Sequence, residues 1–156
     1  MSEFSTHIDA PLEVVFDEVS HVERHASWAN PTADMRIEQT AGDGPGAASH
    51  YVSHAIFVKK PVSADIDVTR YEPPHVFELL STQHQDGKKD TWIRHTFTCT
   101  PEDGGTRLTR TVISEPGISG SIIRFLATPA IKKDQTTSLT NLKRMLETKA
   151  TTGGAA

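Results

Sequence analysis

Apolar residues in this chain change their spacing near residue 33 and again after residue 116. Between those points they recur at every second position, the period of a half-buried strand. After Pro116-Gly117 they recur every three or four residues almost to the C-terminus, the period of a helix. A run of strands closed by one long helix leaves few ways to make a core. The helix must bury its stripe, and the broad face of the sheet is the only surface large enough to receive it.

The strand block divides at its turn residues. Met35 and Ile37 alternate with charge up to Gly42-Asp43-Gly44-Pro45-Gly46, a second run covers roughly 48–58, and Lys59-Lys60-Pro61 closes it. A third run, Ser63 to Tyr71, sets Ala64, Ile66 and Val68 on one face, and Pro73-Pro74 breaks it because proline cannot donate to a ladder. His75 to Gln83 follows, with Phe77 and Leu79 on one face, and Asp86-Gly87 signals a hairpin. The last two runs, Asp90 to Thr100 and Thr106 to Ser114, join through Asp103-Gly104-Gly105.

Before residue 33 the pattern is different. Phe4, Thr6 and Ile8 alternate as a first strand. Pro11 then opens a helix striped by Leu12, Val15, Phe16 and Val19, since its fixed φ suits the first turn. Ser20 and Glu23 have the spacing of a capping box, which predicts a second short helix from His21 to about Trp28. In the final helix Ile131, Gln135, Leu139, Leu142 and Leu146 trace one face. Pro129 predicts a bend that lets residues 118–128 act as a lid. The expected core joins Phe97, Leu108, Val112, Leu139 and Leu142.

The fold class that follows is α+β: a curved antiparallel sheet of about seven strands wrapped on a long C-terminal helix, with two short helices after strand 1. Residues 1–150 form one domain and 151–156, which offer nothing to bury, a disordered tail.

Ile8-Asp9-Ala10-Pro11-Leu12-Glu13-Val14-Val15-Phe16, Trp28, Tyr71-Glu72-Pro73-Pro74 and Gly104-Gly105-Thr106-Arg107-Leu108-Thr109 give this order a family likeness. The chain resembles the helix-grip superfamily (START and Bet v 1-like proteins, SRPBCC), in its polyketide cyclase/dehydrase-like branch, from Phe4 to about Thr148. The resemblance implies a cavity between sheet and helix for a lipid, sterol or polyketide. Some members catalyse cyclisation or dehydration, so it specifies a fold better than an activity.

Strand parity selects the residues that would line such a cavity. Thr91, Ile93, His95, Phe97 and Cys99 share the more apolar face of their strand, which carries His95 inward. On the next strand Leu108 and Val112 fix the inward side with Arg110 between them, and Arg107 points outward. A buried Arg is expensive to desolvate, so it needs partners, water or a ligand. Arg110 and His95 inside an apolar pocket are the groups that would orient a carboxylate, carbonyl or phenol. The competing reading pairs Arg110 with a structural acid such as Glu115 or Glu78, or lets it snorkel to the rim. The expected lining is Trp28, Ile66, Val68, Phe77, His95, Phe97, Leu108, Arg110 and Leu139, with Trp28 either pocket wall or core and Cys99 a small core residue.

Other motifs carry less. Asp17, His21 and His25 are four apart, but a helix break at Ser20–Glu23 scatters them. His50 and His54 lie about 13 Å apart along a strand, too far to share an ion. The glycines at 42, 44 and 46 lead into a strand, so no helix N-terminus is there to receive a phosphate. No Ser-His-Asp pattern or Cys-x-x-Cys is present, and the residues predict neither cofactor nor metal.

The net charge of −4 offers phosphate backbones no basic stripe, so nucleic acid is not an expected partner. A single cysteine, an N-terminus without a secretion signal and the lack of a long apolar run predict a cytoplasmic protein with no membrane span. Monomer and homodimer remain open, as does any reaction.

Three functions remain. The first is a binding protein for a small hydrophobic or amphipathic ligand of lipid, polyketide or aromatic type. The second is a cyclase/dehydrase-like enzyme in which Arg110 and His95 polarise a carbonyl and move a proton, marked by a solvent-filled cavity with polar groups converging on one spot. The third is a chaperone-stimulating interaction module, marked by a filled core and an exposed apolar patch.

Overall fold

Every segment with a two-residue apolar period becomes a strand of one antiparallel sheet. The structure, a computed structural model, describes residues 1–29, 34–57, 59–87, 89–114 and 129–153, with backbone alone at 57, 60, 129–132 and 134. Strand β1 (Ser2–Ile8) leads to helix α1 (Leu12–Ser20), a 3-10 turn (Val22–Arg24) and the short helix α2 (His25–Trp28). Strands β2 (Asp34–Ala41), β3 (His50–Phe57), β4 (Lys60–Glu72), β5 (Val76–His84), β6 (Thr91–Glu102) and β7 (Gly105–Ser114) follow. Helix α3 (Pro129–Gly153) closes the described chain. The sheet order is β1-β7-β6-β5-β4-β3-β2. The fold is the α+β arrangement that the spacing predicts and the helix-grip fold that the resemblance implies.

Alternation sets the two faces. Phe77 and Leu79 on β5, Phe97 and Cys99 on β6, and Leu108 on β7 turn inward and meet Leu139, Leu142 and Leu146 of α3 in one buried cluster. Val112, also buried, packs outside that cluster. The helix is further pinned to β1: Lys143 Nζ donates to the His7 carbonyl at 2.7 Å, and the Asp9 amide donates to Glu147 Oε1 at 2.8 Å. Ser138 Oγ donates to the carbonyl of Ala29, tying α3 to the end of α2.

The Gly-Gly-Thr motif has a packing cause. A Cβ at Gly105 would stand 2.4 Å from the Ile8 carbonyl oxygen, so only glycine lets β1 close on β7 there. Next to it, Thr106 Oγ1 donates to the Ala10 carbonyl at 2.8 Å, fixing the entry to α1.

Several local expectations need correction. The Ser20–Glu23 capping box does not form: Ser20 Oγ bonds back to the Asp17 carbonyl, and the 3-10 turn begins at Val22 without a side-chain cap. The second helix therefore starts at His25 rather than His21. Lys59-Lys60-Pro61 does not keep β4 waiting until Ser63. With φ 63° at Lys59 the chain reverses at once, and Lys60 already pairs with Phe57. Helix α3 runs to Gly153, past the expected start of the tail, and the Thr151 and Thr152 hydroxyls donate back to the carbonyls of Glu147 and Thr148. The lid at 118–128 and the bend entering Pro129 lie outside the described residues.

Candidate functional site

Parity on the last hairpin brings the two inward polar residues together. Leu108, Arg110 and Val112 are all buried on β7, and register places Arg110 opposite Phe97 and Val112 opposite His95. Arg110 Nη2 donates to His95 Nδ1 at 3.0 Å. Arginine has no acceptor, so Nδ1 must be the lone-pair nitrogen and the His95 proton sits on Nε2. That N–H has no hydrogen-bond partner among the described residues. The Arg110 guanidinium also lies 5.4 Å from the Phe97 ring centre, on the electron-rich face that favours a cation. Glu78, one of the two acids set against this arrangement, faces the other side of the sheet toward Thr69, Thr96 and Arg94. Glu115 lies outside the described residues.

Phe97 is the centre of an aromatic group. Its ring stacks on Phe77 at 6.2 Å and meets Trp28 edge-on at 6.4 Å. Trp28 is fully packed, and its Nε1 has no hydrogen-bond partner among the described residues. Of the remaining expected lining residues, Ile66, Val68, Leu108 and Leu139 belong to the same apolar cluster. Cys99 is a buried core thiol whose pKa burial pushes up to about 12, which leaves it unreactive.

One residue of this group escaped the sequence reading as a member of the site. His25 packs its ring 4.6 Å from Trp28 and 5.7 Å from Phe97. Its Nε2–H donates to the Val19 carbonyl at 2.7 Å. The available signal was its spacing, three residues from both Val22 and Trp28, which puts it on their buried face. Burial first, then the nearby Arg110 charge, lowers the His25 pKa to about 4 against the opposing pull of the Val19 bond. Burial, Arg110 and His25 hold His95 well below an ordinary histidine. Both imidazoles are thus neutral near pH 7, beside a permanent positive charge.

The weaker motifs resolve as structure. Gly42 and Gly44 take positive φ in the β2–β3 turn, where the Gly44 carbonyl accepts from Ser49 and Gln39. Asp17, His21 and His25 do not converge, since His21 bonds the Asp17 carbonyl while His25 is buried elsewhere. Among the described residues no group of three His, Cys, Asp or Glu is placed to hold a metal ion, and no helix is long and apolar enough to cross a membrane.

Comparison with known proteins adds a family. A family model described as polyketide cyclase / dehydrase and lipid transport matches residues 2–147. No curated protein matches the sequence. Among solved structures, a protein from Arthrobacter aurescens superposes with a TM-score of 0.73 at 14% identity, covering 92% of this chain and 84% of that one. Ara h 8.0201 superposes at 0.67 with 13% identity, covering 97% of each. DynU16, encoded in the dynemicin biosynthetic locus, superposes at 0.65 with 21% identity over 94% of this chain and 47% of its own. At these identities the likeness is one of fold.

Proposed function

The chain belongs to the polyketide cyclase / dehydrase and lipid transport family, and from that premise we propose that it binds a small hydrophobic or amphipathic molecule between the sheet and α3. The observation that carries this reading is the Arg110–His95 hydrogen bond on the inward face of the sheet. It leaves the His95 Nε2–H directed away from Arg110 as a donor for a ligand oxygen. His95 is half-buried beside the buried Phe97, so its ring keeps some accessible surface. Phe97, Phe77 and Trp28 supply the apolar wall. A buried free thiol at Cys99 suits a reducing compartment, and we place the protein in the cytoplasm.

A second reading, an enzyme of the cyclase or dehydrase kind, draws on the convergence of His25, His95 and Arg110 around Phe97. The tautomer limits it. The open nitrogen of His95 already carries its proton, so it can polarise a carbonyl but not accept a proton. The interaction-module reading has less behind it. The exposed large apolar side chains among the described residues are Met1, Val14 and Ile56, on separate parts of the fold.

Native mass spectrometry of protein purified from its own host tests the binding reading. The expected spectrum contains a one-to-one adduct of a few hundred daltons that disappears on denaturation and partitions into organic solvent. A bare-protein mass under all gentle conditions, with no uptake of added fatty acids or polycyclic phenols, would remove the proposal.

A further inference from the structure

The sheet face turned away from α3 carries a line of side chains unconnected with the Arg110–His95 pair. Thr40 bonds His50 Nδ1, and His50 Nε2 lies 3.4 Å from Asp65 Oδ1. Asp65 Oδ2 lies 2.7 Å from His84 Nε2, and His84 Nδ1 lies 3.0 Å from Asp90 Oδ1. The line therefore runs from β2 through β3, β4 and β5 to the residue just before β6.

His84 has a carboxylate against each ring nitrogen. A neutral imidazole has one N–H and one lone pair, so one of these contacts would set a lone pair against a negative oxygen. Both contacts are attractive only when both nitrogens carry protons. We propose that His84 is a proton-operated clip: its charged ring ties the β5–β6 turn, through Asp90, to Asp65 on β4, and loss of its proton releases that turn.

The surrounding charges favour the closed form. Asp90 and Asp65 touch the ring directly, while Asp34 and Asp86 line the same outer cleft of about 700 Å³. Three positive or titratable groups oppose them. Arg36, His54, Ser63 and His84 occupy one cross-strand row, so His54 lies about 10 Å and Arg36 about 14 Å from His84 at the usual strand spacing. His50 reaches Asp65 and, at 3.9 Å, Asp67, which diverts part of the Asp65 charge. The contacting carboxylates prevail: the bond to Asp90, then that to Asp65, holds the His84 pKa above its ordinary value.

The sign follows from linkage. A histidine whose folded pKa is raised contributes fully below its unfolded value, about 6.5, and loses that contribution as pH rises through the folded value. The clip is thus closed in mildly acidic solution and opens on the alkaline side. What it releases is the start of β6, the strand that carries His95.

The test is an NMR titration of the His84 ring combined with amide-exchange protection at residues 85–87 and 89–91, corrected for intrinsic exchange rates. In the wild type His84 should titrate above an ordinary histidine. Protection of the turn should fall roughly twofold to fivefold as pH rises through that midpoint. Asp65→Asn and Asp90→Asn should each lower the midpoint, and the double variant should remove the pH step in protection. A wild-type midpoint at or below an ordinary histidine, or protection that ignores the His84 titration, overturns the clip.

Discussion

Phe97→Ala lowers the unfolding free energy by about 3–5 kcal/mol, the range for deleting a buried aromatic ring. Phe97 is 1% exposed and sits where β5, β6, β7 and α2 meet. Its removal takes away the stack on Phe77, the edges offered to Trp28 and His25, and the face under Arg110. The loss exceeds a simple transfer free energy because neighbours on strands and a short helix have little freedom to collapse into the space. Arg110 adds to the cost, since a buried guanidinium without its aromatic face is less well compensated. Urea denaturation should show a lower midpoint at an unchanged slope. Val14→Ala, at a residue 45% exposed on α1, serves as the comparison and should stay within about 0.5 kcal/mol. A Phe97→Ala loss below about 1 kcal/mol would mean that this ring is not the centre of the core.

Arg110→Met should weaken binding of an amphipathic anion by roughly ten- to a hundredfold. The probe is 1-anilinonaphthalene-8-sulfonate, which joins aromatic rings to a negative oxygen group. Methionine keeps the apolar stem of arginine and removes its charge, so the packing persists while the anchor is lost. A hydrogen bond to a charged group contributes about 1.5–3 kcal/mol, which converts to that range of affinity. Losing Arg110 also removes the donor that fixes the His95 tautomer, so the Nε2–H no longer has a defined direction. Arg107→Met is the matched control: Arg107 stands on the opposite face of the same strand, 2.7 Å from Glu102. It should bind the probe as the wild type does. Equal losses for both variants would make Arg110 a general electrostatic contributor only.

Parity made the inward pair legible. On β7 the apolar residues Leu108 and Val112 fix which side Arg110 faces, and on β6 Phe97 and Cys99 do the same for His95. No bulge interrupts the β6–β7 register, so counting by two held along the whole hairpin. His25 was hidden by a plausible local rule. Ser20 and Glu23 have the capping-box spacing, but a capping box is weak enough to yield to tertiary packing. Here the chain passes through a 3-10 turn and buries the His25 ring beside Trp28. The outer line of histidines and aspartates was illegible for another reason. His84 pairs in register with Ser63, and its bond to Asp65 is a diagonal one. Diagonal contacts require the register and a particular rotamer, and neither follows from alternation alone.

A ligand bound as proposed sits between the Arg110–His95 pair and α3. Intermolecular nuclear Overhauser effects from bound 1-anilinonaphthalene-8-sulfonate locate the probe directly. Cross-peaks are expected from its aromatic protons to the Phe97 and His95 rings and to the Leu139 methyls, with none to Trp92 or Leu80 on the outer face of the sheet. Cross-peaks confined to Trp92 and Leu80, with the Phe97 and His95 signals unmoved, would contradict this placement.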